Sequence, residues 1–453
     1  MASAGADLEV VGQRAVAAAA DAGVDQAEAW VEQSWGVEIR VYEGEVESLS
    51  EAGSRGIGLR VIQDGRPGYA YGTDLSDAGV TDLARRAAEA ARVTSPDEHA
   101  GLPAECGSAD VSGLSDPGFA DWSTEQKVEL AVAIEHAARA KDGVSQVEDT
   151  VYADSSETVA IANSQGFSAS FDATSAWSYA SAFAGEGADL MTGMGLGLGR
   201  GPGAIDAEAV GNEAADRAIS LRGARQGESS HCPVVLDAFV AASFIGFIGS
   251  MLSADAVQRG RSLFAGKEGQ DVAALQFGLV DDGLDPDGPS SSPFDGEGSP
   301  RRQTPLIEDG RIASFIFDAR TARRADRETT GGASRRSYRT PPSVGTSNLV
   351  LGPGDLSFEE LLGQAGDGLY VTDVAGLHSG VNPVSGTFSV GATGRLIRGG
   401  ELAEPVREIT IASDLVGMLK AVLAVGSDAR WVPFGGSVRA APVLIADMAV
   451  SGS

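Results

Sequence analysis

The sequence predicts an α+β protein of two domains. The first, over residues 1–225, is an N-terminal α+β domain built of two helix/β-meander/helix units; the second, over 232–453, is a β-rich domain with few helices. Three observations lead there. A chain of 453 residues exceeds what one core of ordinary size organises. The order helix, strands, helix occurs twice before residue 225, and beyond Cys232 short strand-like segments separated by glycines take over. The 43% apolar and 22% charged fractions are those of a globular chain, while 60 glycines against 15 Phe and 5 Trp call for many turns and close strand crossings.

In the first unit, the Ala-rich stretch 7–22 reads as a helix that Gly23 is placed to end. Five strand-like segments follow, at Ala27–Gln33, Val37–Tyr42, Val46–Ala52, Gly56–Gln63 and Gly68–Gly72. Glu43-Gly44, Asp64-Gly65 and Pro67-Gly68 supply hairpin punctuation. Asp77–Val93 returns to a helical pattern. A Pro/Gly/Ser-rich linker at 102–118 precedes the second unit, with a helix at Thr124–Lys141 and strands at Ser145–Asp154, Thr158–Asn163 and Phe167–Ala184. Its closing helix is Asp206–Leu221. The second half starts with a short strand at Pro233-Val-Val-Leu and a 15-residue apolar helix, Ala238–Leu252, too short for a membrane span of about 20 residues and therefore expected in the core. An Asp/Gly/Pro/Ser-rich loop occupies 281–300. Short strands then recur at Arg311–Phe317, Gly368–Val371, Gly386–Val390, Glu408–Ile411 and Pro442–Met448, with one more helix at Asp414–Val425.

Charge narrows the partners. There are 64 acidic and 34 basic residues, a formal charge of −30, which repels phosphate backbones and anionic lipid, so neither nucleic acid nor membrane is expected. The acidity lies mainly in residues 1–230, with 38 acids and 15 bases, against 26 and 19 in 231–453. Cys106 and Cys232 are too few and too separated for a disulfide framework. Met1–Val11 carries Asp7 and Glu9 and no basic stretch of the kind that opens a secretory signal, so a cytoplasmic location is expected.

The chemistry-bearing residues are sparse. His99, His136, His231 and His378 include no pair within a helical turn or two, and adjacent His231 and Cys232 point to opposite faces of an extended segment, so no metal site is expected. No Gly-x-Ser-x-Gly nucleophile elbow is present. Asp285-x-Asp287-Gly288 resembles half a calcium loop without its closing Glu and reads as a solvated acidic loop. No catalytic residue is assigned.

Two segments stand out as binding or interface candidates. Gly376–Gly394 packs a histidine, an asparagine, five Ser/Thr hydroxyls and five glycines into a shaped loop that leads into a strand near Thr387; its candidates are His378, Ser379, Asn382, Ser385 and Phe388. The second is a run of seven arginines between Arg320 and Arg339, among them Arg323, Arg324, Arg335 and Arg336, suited to carboxylates of a peptide terminus, of a partner, or of this protein's own acidic first half.

Taken in order, the second-half segments resemble the TldD/PmbA family, known also as the modulator of DNA gyrase family, and within it the PmbA or TldE branch. The resemblance rests on Pro233-Val-Val-Leu, Asp281-Asp282, Phe294-Asp-Gly-Glu-Gly298, Thr304-Pro-Leu-Ile-Glu-Asp-Gly310, Thr321-Ala322, Thr346-Ser-Asn-Leu349 and His378-Ser-Gly-Val-Asn-Pro-Val-Ser-Gly386 with Phe388-Ser389. Gly56-Ile-Gly-Leu-Arg-Val61 extends it into the first half. The resemblance implies a two-domain fold and a heterodimeric zinc peptidase that trims or degrades small, unfolded or leader peptides. Its TldD-type subunit carries a His-Glu-x-x-x-His motif on the helix after the Pro-Val-Val-Leu-like strand and a cysteine ligand near the C-terminus. Here that helix reads Ala242-Ser-Phe-Ile-Gly-Phe-Ile-Gly-Ser-Met-Leu252, and Trp431–Ser437 holds no cysteine. The expectation is therefore a non-catalytic subunit without a cofactor of its own, closing the chamber and positioning an unstructured peptide for a TldD-type partner that holds zinc. The alternative is a metal-free homodimeric peptide-binding or regulatory protein.

Overall fold

The structure, a computed structural model, describes residues 4–433 and 436–452. The first unit consists of α1 (Ala4–Asp21), β1 (Gln26–Tyr42), β2 (Glu45–Gln63), β3 (Arg66–Gly72) and α2 (Asp77–Val93). The second repeats it with α3 (Thr124–Arg139), β4 (Val144–Asn163), β5 (Ser168–Ala184), β6 (Met191–Gly199) and α4 (Ala207–Ser220). Their strands form one antiparallel sheet in the order β3-β2-β1-β4-β5-β6, so the two units meet through their first strands.

The hairpins turn where the sequence places the punctuation. Glu43-Gly44 has φ of 54° and 79°, and Asp64-Gly65 has 51° and 70°, the paired positive values of a two-residue type I′ turn. The strands themselves differ from expectation. The first four segments fuse into two strands of 17 and 19 residues, and Pro67-Gly68 lies inside β3 instead of at a turn. Gly53, in the gap between the expected segments Val46–Ala52 and Gly56–Gln63, keeps its place in the ladder opposite Trp35, where an added Cβ would stand 2.8 Å from the indole. In the second unit, β6 went unrecognised because every second residue of Gly193–Gly199 is glycine, a poor strand former. Contact explains it: a Cβ on Gly195 would lie 2.0 Å from the Val210 carbonyl oxygen, so glycine lets α4 lie directly on the strand.

Side-chain parity along β1 decides what each face of the sheet meets. Ala27, Ala29 and Val31 pack with α1 and α2, while Val37, Ile39 and Val41 pack with α3 and α4. Odd residues share a face, so all four helices cover one side of the sheet. The even face near the start of β1, with Glu28, Trp30 and Glu32, is left for the second half of the chain.

That half is β-rich, with short helices apart from α5 (Ala238–Met251). Strands Val443–Ser451, Ser230–Leu236, Gly368–Ala375, Thr387–Arg398 and Glu401–Asp414 pair in succession, and the last pairs back with the first, closing a five-stranded circuit. A second sheet of six strands includes Leu279–Asp282, Gln303–Glu308, Asn348–Leu351 and Ser437–Ala440. The apolar α5 lies in the core that the two sheets share, as its composition predicts. The expected helix Asp414–Val425 stops at Lys420, and Val422–Val425 pairs as a strand, its β-branched ends fitting the sheet better than a continued helix. No helix among the described residues is long and apolar enough to cross a membrane.

Candidate functional site

Helix α5 is fixed at its N-terminus from three directions. Its N-cap Asp237 accepts the Phe239 amide at 3.0 Å, both carboxylate oxygens take Arg217 of α4 at 3.0 Å, and the Tyr370 hydroxyl donates at 2.6 Å. The Phe239 ring lies between the Arg217 and Arg430 guanidinium groups, 4.4 and 4.7 Å from its centroid. On its inner side Phe244 meets Phe388 edge to face at 5.2 Å. Its outer stripe, Ser243, Gly246, Phe247 and Ser250, follows helical spacing and borders an open groove of about 460 Å³ whose other wall is Val374, Gly376, Leu377 and His378.

The opening loop builds that second wall. Leu377–Gly380 forms one helical turn after Gly376, whose φ of 83° suits glycine. His378 and Ser379 are exposed, the former on the groove. Asn382 accepts the Val384 and Ser385 amides at 2.9 and 3.0 Å, and Ser385 shares a hydrogen bond with Thr387 at 2.8 Å, so these two side chains shape the turn. Phe388 is buried against α5. The Ser243 and Ser250 hydroxyls donate back to carbonyls of their own helix, at 2.9 and 2.7 Å.

The arginine run lies elsewhere, at the junction of the two halves, and the structure joins none of its members to the groove. Arg323 donates to the carbonyls of His99, Gly101 and Leu102, and Arg320 pairs with Asp97 at 2.6 Å. Arg335, 1% exposed, contacts Glu28, 0% exposed, which also takes Arg60 at 2.6 Å; Arg60 reaches on to Glu297 at 2.6 Å. Burial pulls the Arg335 guanidinium down to about 9, still above neutrality, so the group beside Glu28 is charged at pH 7. Arg324 is exposed, and Arg336 lines a cavity between the halves.

Several of the segments that carry the resemblance meet at this junction. In Phe294-Asp-Gly-Glu-Gly298, the Phe ring packs edge to face on Trp30, Phe167 and Phe171 of the sheet. Asp295 accepts the Glu297, Ser299 and Ala333 amides, and Glu297 takes Arg60. Asp281 accepts the Ser347 amide and hydroxyl at 2.7 and 2.9 Å, while Asn348 bonds the Asp282 carbonyl. Gly56 leaves room for Tyr338, whose ring would stand 2.3 Å from an added Cβ. Sequence reasoning missed Glu28, Glu32, Glu157 and Arg200. Its available signal was Glu28-x-Trp30-x-Glu32, polar residues alternating with apolar ones, on a strand buried on both faces.

These features define a class: α+β proteins in which a duplicated helix-on-sheet layer packs against a β-rich body with an open groove along its long helix. The PmbA/TldA metallopeptidase profiles match in three consecutive parts, domain 1 over residues 27–91, the central domain over 117–222 and the C-terminal domain over 229–452. The chain belongs to the PmbA/TldD metallopeptidase family. It is 27% identical over 431 residues to the metalloprotease PmbA of Escherichia coli O157:H7, covering 94% of this chain and 92% of that protein. It is 30% identical over 399 residues to a metalloprotease of Methanothermobacter thermautotrophicus, covering 86% of each. Among solved structures, a protein of Thermotoga maritima MSB8 described as a candidate modulator of a DNA gyrase superposes with a TM-score of 0.88 at 27% identity, covering 98% of this chain and 100% of the other. TldE from Thermococcus kodakarensis shares the fold, with a TM-score of 0.90 at 22% identity, again over 98% and 100%.

The family implies a metal, and α5 offers no donor set for one. The groove's lining supplies one imidazole, His378, and no carboxylate or thiol. Among the described residues, no three His, Cys, Asp or Glu side chains converge to hold an ion. Phe434 and Gly435 of the Trp431–Ser437 segment lie outside the described residues.

Proposed function

We propose that this chain is the non-catalytic, TldE/PmbA-type subunit of a heterodimeric zinc metallopeptidase acting on small, unfolded or leader peptides in the cytoplasm. It closes the chamber and positions peptide for a TldD-type partner that holds the zinc. The observation that carries this reading is α5, the counterpart of the helix on which the resemblance places the zinc motif. Its groove-facing stripe is Ser243, Gly246, Phe247 and Ser250. Small residues on that stripe leave room for an extended backbone, Phe247 supplies an apolar contact, and His378 supplies a polar one from the opposite wall.

Co-expression with a TldD-type partner tests it. The two chains are expected to copurify, with zinc stoichiometric to the partner and peptide cleavage requiring both. Cleavage by the partner alone at the same rate, or zinc stoichiometric to this chain purified alone, overturns the reading. Self-association of this chain without the partner, with peptide bound and left intact, would support the homodimeric alternative. Phe247→Glu combined with His378→Ala is expected to lower kcat/KM or assembly by about tenfold while leaving the melting temperature unchanged. Unchanged kinetics and assembly would remove the groove from the function.

A further inference from the structure

A cavity of about 260 Å³ lies between the even face of the N-terminal sheet and the loops of the C-terminal body. It is separate from the groove on α5 and borders the buried Glu28 network through Arg335, which lines both. Its floor is the aromatic surface of Trp30 and Phe171, and its walls carry charges of both signs, among them Glu32 from β1, Glu157 from β4, Arg200 after β6 and Arg336 from the body. The volume is just below the range of small-molecule sites, roughly 300–1,000 Å³, and so suits a ligand of few heavy atoms.

These four charged groups have few protein partners, unlike Asp295 and Arg335, which also line the cavity. Glu157 makes no hydrogen bond or ion pair among the described residues, and it shares its surroundings with the Glu32 carboxylate. The residue is solvent-exposed at the edge of the cavity it lines. Burial first, then Glu32, pushes its carboxyl above the usual range, and Arg200 opposes that only in part. Glu32 accepts one amide, that of Tyr338 at 3.1 Å. Arg200 donates to the Gly288 carbonyl at 2.6 Å, yet its buried Nε has no partner. Arg336 is exposed and has no protein partner among the described residues. Two carboxylates and two guanidinium groups facing one cavity are the complement of one molecule that carries an ammonium and a carboxylate.

We propose that this cavity binds a free amino acid or dipeptide, its ammonium on Glu32 and Glu157, its carboxylate toward Arg200 and Arg336, and its apolar side chain on Trp30 and Phe171. Such a ligand touches both halves of the chain and would hold them together. The site does not depend on the subunit reading, because every residue in it belongs to this chain.

Calorimetric titration of the purified full chain with leucylglycine tests the site, alongside N-acetyl-leucylglycine and leucylglycinamide. Saturable binding of the free dipeptide is expected, at least about tenfold weaker when either terminus is blocked. Glu157→Gln and Arg336→Gln are expected to weaken the free dipeptide by the same order, with unchanged thermal unfolding of the unliganded chain. No saturable binding of leucylglycine to the wild type overturns the proposal. So does equal binding of all three probes, since that would mean the termini are not read. Because the blocked probes act on the wild-type protein, the outcome stands even if a variant fails to fold.

Discussion

Asp281 illustrates how a single buried side chain can be both structural and titratable. It holds the Ser347 amide and hydroxyl, and burial lifts its carboxyl to about 6 from 3.8, against the opposing pull of Arg301. Between those two values the folded protein holds this proton more tightly than the unfolded chain does. Its contribution to stability is therefore greatest below about pH 4, falls as pH rises to about 6 and is level above, a change of about 3 kcal/mol. Asp281→Asn keeps an acceptor for Ser347 and removes the ionisation. Denaturant unfolding at several pH values should show the variant gaining on the wild type by about 3 kcal/mol between pH 4 and 6.5 and no further above that. A pH-independent difference would mean that Asp281 does not titrate in this window. The importance of this residue was only half legible: Asp281-Asp282 was noticed as a signature, but its burial depends on strands far away in sequence.

At the scale of elements, glycine placement decides which surfaces approach. Gly195→Ala would place a methyl 2.0 Å from the Val210 carbonyl oxygen, against helix backbone that cannot rotate away. A loss of about 1–3 kcal/mol or more in unfolding free energy is expected, with α4 displaced from the sheet. Gly363 is the control. It sits exposed in the helix Phe358–Ala365 with nothing within 4 Å of an added Cβ, so Gly363→Ala should gain up to about 1 kcal/mol. Equal effects at both positions would sink the contact argument. The hairpins behave differently, because their cause is local. Glu43-Gly44 and Asp64-Gly65 specify type I′ turns by their own φ preferences, and both were readable in the sequence. β6 was not, since nothing within Met191–Gly199 reveals that a helix presses on it.

At the scale of the whole molecule, the two halves are joined by the ion network of Glu28, Arg60, Glu297 and Arg335 around the Trp30 and Phe294 rings. Removing one member of such a network leaves a buried charge without its partner, at a cost of about 3–5 kcal/mol. Arg335→Ala is expected to split one calorimetric unfolding transition into two, the N-terminal sheet separating from the C-terminal body. A single transition with an unchanged midpoint would show that the junction rests on the aromatic contacts alone. The sequence by itself determined the α+β class, the repeated helix and strand order, the turn positions, the buried α5 and the family, because periodicity, turn chemistry and ordered motifs are properties of neighbouring residues. It also singled out the opening loop and the arginine run. Only the tertiary structure decided that these lie at two different places, with His378 on a groove beside α5 and Arg335 locked to Glu28 across the junction. The physical reason is that partners such as Glu28 and Arg335, or Arg60 and Glu297, are remote in sequence. A charge seeks whatever the packed layers bring within reach, and layer packing is set by all the apolar faces at once.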